Sequence, residues 1–259
     1  MALSTHTMSQ PMHPSTVEES QQRAAKTAGL AYLLSFAAIA YVNFGIHARL
    51  FSGTPPNYGL VDANETARNI LADLPLFRLS IALLLSYCVG VAIVAAAFYL
   101  ILRPFGQTTA LIAAVCRVLL AGAWAIGTAQ LFDTMRLLNG GSDLGGFSPD
   151  QLRALASLTP SVFWDHYYVA MFFWGLSTTL FSYLWLKSRH ISRAFAAFGI
   201  ASGALASLCA LAYIAYWNTQ TFQNIFAWFD TPLAIFEIAL SIRLLVKPLH
   251  RSGIGDSAD

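Results

Sequence analysis

The sequence predicts an all-α polytopic transmembrane bundle of six helices, with both termini cytoplasmic and short interfacial helices in the outer loops. Three observations carry this. Six long apolar runs cross the chain. Charged residues make up 11% of its 259 residues and hydrophobic ones 56%, whereas a soluble domain carries about a quarter charged residues. So few charges cannot cover a water-facing surface, and lipid is the solvent that fits. Basic residues also gather on every second connection between the runs.

The runs predict helices over 28–50, 77–102, 108–137, 162–187, 193–217 and 230–248. Each holds an apolar stretch near the ~20 residues that a bilayer core requires, the last being short. Arg23 and Lys26 precede the first helix, and Arg103 sits in the tight second connection. Lys187, Arg189 and Arg193 crowd the fourth, and Arg243, Lys247 and Arg251 follow the last. The connections 51–76, 138–161 and 218–229 lack that excess. By the positive-inside rule both termini are cytoplasmic, which six spans satisfy. The protein is thus expected to be a multi-pass protein of the cell inner membrane. Trp164, Tyr167, Tyr168, Trp217 and Trp228 cluster at the expected outer ends and Trp185 at an inner end, as an aromatic belt would.

Residues 1–24, rich in Ser, Thr, Gln, His and Pro, are expected to be a disordered cytoplasmic tail. The membrane domain then covers 25–250, and 251–259 form a second short tail. The N-terminus lacks the layout of a removable signal peptide, so the first apolar run is expected to direct insertion. Cys88, Cys116 and Cys209 are scattered through apolar runs and read as packing residues, with no disulfide framework. No basic run suited to nucleic acid is present.

Two outer loops carry helix signals. Asp62-Ala-Asn-Glu65 has capping-box spacing, followed by Ala67, Ile70, Leu71 and Leu74 on one face. Ser148-Pro149-Asp150-Gln151 repeats it with proline at the first helical position, followed by Leu152, Leu155 and Leu158. These helices are expected to lie on the membrane surface or to cap the bundle. Gly199 and Gly203, four apart, let helix backbones approach closely, within the bundle or in a homodimer.

Ionisable residues inside the runs are the candidate functional groups, because an ionised group in hydrocarbon needs a partner, water or a role. They are Arg78, Arg117, Asp133, His166 and Glu237. Counting 1.5 Å per residue sets His166 and Glu237 in the outer half, with Arg78 and Asp133 near its edge. Arg117 falls nearer the middle, apart from the rest. His166 and Glu237 are the candidate acid–base pair. Arg78, Arg117 and Asp133 are candidate ligand contacts, the arginines suiting phosphate or carboxylate. Arg78, Asp133 and His47 are also explained by proximity to water. A Glu–Arg pair that only fixes helix register explains the deeper residues equally well. A metal site drawn from His47, Asp133, Asp165, His166 and Glu237 is disfavoured, because Asp165 and His166 point about 100° apart and no helical ligand spacing occurs. No cofactor signature is present.

The chain resembles a broad bacterial family of six-helix membrane proteins catalogued as a domain of unknown function. The resemblance rests on Lys26-Thr-Ala-Gly-Leu-Ala-Tyr32, Ala67-Arg-Asn-Ile-Leu71, Leu76-Phe77-Arg78 and Leu102-Arg103-Pro104. It continues through Arg117, His166, Phe172-Phe173-Trp174-Gly175-Leu176 and the segment from Glu237 to Lys247, spanning about 24–248. It implies a six-helix bundle with Arg78, Arg117, His166 and Glu237 at characteristic positions, and no activity. The chain departs from the pattern at Ser86-Tyr87-Cys88, where an acidic residue is expected.

The resulting expectation is a polar pocket facing the outer leaflet, binding or modifying a lipid or isoprenoid amphiphile. A small proton-coupled transporter and an accessory subunit that binds another membrane protein are the alternatives. Membrane lipid is the expected partner.

Overall fold

The computed structural model describes residues 14–51, 63–138, 146, 148–216 and 228–249. Seven helices occur among them. Helix α1 runs from Pro14 to Ala40, continues as a π-helical turn over Tyr41–His47 and ends in a last α-turn, Ala48–Leu50. The others are α2 (Ala63–Ala72), α3 (Leu74–Leu102), α4 (Gln107–Leu138), α5 (Pro149–Ser188), α6 (Arg193–Ala215) and α7 (Thr231–Val246).

Five helical stretches are long and apolar enough to cross a membrane, in α1, α3, α4, α5 and α6, so the chain is a multi-pass membrane protein. The sixth expected span is the 16-residue α7, about 24 Å long. Neighbouring helices pack in the order α1, α3, α4, α5, α6, α7, and α7 packs back on α1, closing a ring. The connections at 103–106 and 189–192 are tight, which defines a short-turn end of the ring. The opposite end carries the long connections.

Local chemistry sets the helix ends. The Asp73 side chain accepts from the Leu76 N–H at 3.1 Å, and Pro75 follows in the first turn of α3. Ser192 caps α6 by accepting from the Phe195 N–H at 3.3 Å. Arg189 ends α5 in the left-handed conformation, with φ 56°. At the short-turn end, the Gln22 side chain both donates to and accepts from the backbone of Leu249, each at 3.2 Å, tying the start of the bundle to its finish.

Several expectations change. Residues 14–24, expected to be disordered, are helical. Glu19, Gln21, Gln22, Ala24 and Ala25 are good helix formers, and Arg23 pairs with Glu19 one turn away at 2.5 Å. The expected helix at Ser148 exists with its full capping box, yet it is not separate. The Gln151 N–H donates to Ser148 Oγ at 3.3 Å and the Ser148 N–H to Gln151 Oε1 at 2.8 Å. From there α5 runs unbroken for 40 residues, about 60 Å, which is twice a bilayer core. The helix continues through Pro160 without a break. Helix α2 packs against α5, burying Ala67 and Ile70; Asp62, its expected cap, lies outside the described residues.

The aromatic belt is also corrected in part. Trp185 is fully buried, edge-on to Phe98 at 5.6 Å. Tyr168 is buried and stacked on Tyr213 at 3.4 Å. Trp185 sits near the end of α5 and Tyr168 at its middle, both facing inward, and packing claims them before the headgroups do. Trp228 is 58% exposed; Trp217 and the side chain of Trp164 lie outside the described residues. Gly203 faces α5, where an added Cβ would lie 2.7 Å from the Gly175 carbonyl oxygen. The small-residue stripe thus serves the α5–α6 contact inside the bundle.

Candidate functional site

Arg117 and Glu237 meet in the centre of the ring. Arg117 comes from α4 and Glu237 from α7, and each side chain is 1% exposed. The guanidinium Nη2 lies 2.7 Å from Glu237 Oε1, and Nη1 lies 3.2 Å from Oε2. This is the two-pronged geometry in which arginine holds a carboxylate most strongly.

Two further helices complete the network. Arg117 Nε donates to Ser177 Oγ at 3.1 Å, and Nη2 donates to Thr178 Oγ1 at 2.8 Å, both on α5. The Thr178 hydroxyl donates to Glu237 Oε1 at 2.5 Å, and Ser177 donates to the Ala113 carbonyl at 2.9 Å. Trp174 Nε1 donates to Glu237 Oε2 at 2.6 Å. From α1, the Tyr32 hydroxyl accepts from Arg117 and donates to Glu237. The carboxylate therefore accepts five hydrogen bonds. Arg117 donates five.

A buried ion pair survives in low dielectric only when its remaining donors and lone pairs are satisfied, and this one is satisfied on both sides. It clamps α1, α4, α5 and α7 at one level.

Next to this layer, toward the long connections, lies a cavity of about 370 Å³. Its wall carries the rings of Phe36, Phe44, Tyr87, Trp124, Tyr167, Trp174 and Trp228. Trp174 is shared: its ring lines the cavity while its N–H holds Glu237. Asn43, Asp230 and Thr231 add the polar groups. The Tyr167 hydroxyl donates to Asp230 Oδ2 at 2.7 Å. Phe44, Ile235 and Ile238 line the cavity and are also exposed on the outside of the ring, at 58%, 57% and 37%. The cavity thus reaches the lateral surface between α1 and α7. The π-helical turn supplies Asn43 and Phe44 to this rim, and such turns often occur at functional sites.

The sequence candidates are distributed unevenly over this geometry. Arg117, expected to stand apart, is in direct contact with Glu237. Depth counting treated each residue as a point on its axis, whereas an arginine side chain spans the roughly 6 Å that separated the two levels. His166 is half-buried near the start of the apolar part of α5, eight residues before Trp174, about 12 Å along the axis. It does not line the cavity. Arg78 is exposed at the start of α3. Asp133 is exposed and pairs with Arg136 one turn on at 3.7 Å. Among the described residues, no three His, Cys, Asp or Glu side chains gather as a metal-binding group.

Residue reasoning missed Tyr32, Trp174, Ser177 and Thr178, which complete the ion-pair layer, and all of the cavity rings. Tyr32 and Trp174 did fall within the segments that carry the family resemblance. Hydroxyls and indoles in apolar helices look like ordinary membrane composition, so only the charges they solvate marked this level of the bundle.

A family model described as Domain of unknown function (DUF4386) matches residues 27–247. No curated protein and no solved structure matches the chain.

Proposed function

We propose a function for this chain, which belongs to the DUF4386 family: it binds a membrane amphiphile that enters its aromatic cavity sideways, between α1 and α7. The observation that carries the reading is the cavity itself. A volume of 370 Å³ falls among ligand pockets, which run from about 300 to 1,000 Å³. An apolar occupant gives the lining rings packing partners on their open side, and the exposed rim at Phe44, Ile235 and Ile238 gives a lipid-borne molecule a route in.

In this reading α7 is the sixth span, both termini are cytoplasmic and the cavity faces the outer leaflet of the inner membrane. The basic short-turn end supports that orientation. Glu237 already accepts five hydrogen bonds, which supports a binding site held in shape by the ion pair over proton transfer by Glu237. Proton-coupled transport is the weaker reading, because the half beyond Arg117 is packed with buried side chains.

Untargeted lipid mass spectrometry on the purified protein tests the proposal. We expect one class of amphiphile to co-purify with the wild type and to be depleted in Ala234→Phe, which fills the cavity. Equal lipid content in both proteins would overturn it.

A further inference from the structure

We infer that the amphiphile carries a cationic ammonium head, received by Asp230 and the surrounding aromatic faces; this rests on the proposed binding of an amphiphile in the same cavity. Charge balance is the first argument. Arg117 and Glu237 cancel each other behind Trp174. Among the described residues of the cavity wall, Asp230 is the one charged side chain. Among the described residues no Lys or Arg forms an ion pair with it. The connection beside it, 217–227, contains no Lys, Arg or His at all. The Tyr167 hydroxyl satisfies one of its oxygens, Oδ2, and a carboxylate has acceptor sites to spare. A net negative site in an apolar wall favours a cation over an anion or a neutral sugar.

Ring geometry is the second argument. Tyr87 and Trp124 meet edge to face at 5.5 Å and 72°. Trp124 and Tyr167 do so at 6.1 Å and 83°. Rings set at right angles around a space present π-faces from several directions, which is how aromatic cages hold quaternary ammonium groups. Among the described residues, no arginine or lysine lines the cavity to compete for those faces. The third argument is the exit. An alkyl chain attached to a head at Asp230 leaves past Ile235 and Ile238, which succeed Asp230 along α7 and face outward.

The head has two possible sources with the same chemistry, a free lipophilic amine and the ammonium group of a zwitterionic lipid. The test uses protein in dodecyl maltoside micelles, titrated with decyltrimethylammonium, decylphosphocholine, decyl sulfate and decanol below their micellar concentrations. Tryptophan emission, dominated on the cavity side by Trp124, Trp174 and Trp228, is the readout. We expect at least one ammonium probe to bind about ten-fold or more tighter than decanol, the scale of a cation–π and ion-pair contribution. We expect Asp230→Asn to remove that preference, bringing the ratio of ammonium to decanol affinity close to one. Tighter binding of decyltrimethylammonium than decylphosphocholine identifies a free amine; the reverse identifies a lipid head. Equal binding of all four probes, a preference for the sulfate, or a preference that survives Asp230→Asn overturns the inference and leaves the amphiphile reading standing. Binding by none of them removes that reading too. Should Asp230→Asn fail to fold, the wild-type order of affinities alone decides.

Discussion

Two halves of one helix ring meet at the Arg117–Glu237 layer, and they are filled differently. Beside the short turns, Phe98 lies edge-on to Phe181 at 5.2 Å and to Trp185 at 5.6 Å, and Phe195 packs on Phe236 at 4.8 Å. Phe98, Phe181, Trp185 and Phe236 are each 1% exposed or less. Beside the long connections, a comparable supply of rings stands around a cavity of about 370 Å³. The same residue types therefore make a plug on one side and a receptacle on the other. What separates them is a polar layer whose every member bonds another helix, so the packed half and the open half are held at fixed distance without sharing a core.

That contrast is broken most severely at the layer itself. Arg117→Met leaves Glu237 as an uncompensated buried charge and is expected to cost about 3–5 kcal/mol. The double variant Arg117→Met with Glu237→Leu is expected to recover much of that loss, because it removes both charges. Thermal unfolding of the two proteins in the same micelles gives the comparison.

Next in size is a test of the packed half. Phe181→Ala is expected to destabilise by about 3–5 kcal/mol, whereas Ile39→Ala, on the cavity wall, costs less because its neighbours already border a space. Unfolding midpoints that fall equally would erase the distinction between the halves.

Trp174→Phe sharpens the boundary between them. It keeps the ring on the cavity wall and deletes one donor to Glu237, for about 1–3 kcal/mol. Amphiphile binding should survive while stability falls. The smallest effect is expected at Asp133→Asn: its pair with Arg136 is exposed on both sides, and such pairs contribute about 0–1 kcal/mol.

How much of this was legible in the sequence follows the same division. Apolar runs read out the helices to within a few residues at most ends, because hydrocarbon imposes a length. Arg117 and Glu237 were marked because charge in an apolar run demands a partner, and each is the other's. Their partners Thr178 and Tyr32 gave no such signal on their own. The cavity was not legible. A tryptophan that lines a space and one that fills a core, Trp174 and Trp185, have the same composition and differ only in what the neighbouring helix brings opposite them. Continuity of α5 was missed because its capping box marks a true start, and nothing in the sequence said that the apolar run thirteen residues on was the same helix.

One measurement addresses the two halves together. Two single-tryptophan proteins, retaining Trp174 or Trp185 with the other five tryptophans replaced by phenylalanine, are titrated with an amphiphile brominated along its chain. Bromine quenches indole fluorescence at short range, so the account predicts saturable quenching of Trp174 and little quenching of Trp185. Equal quenching of both would mean that the amphiphile does not lodge on the cavity side of the ion pair, and would contradict the account.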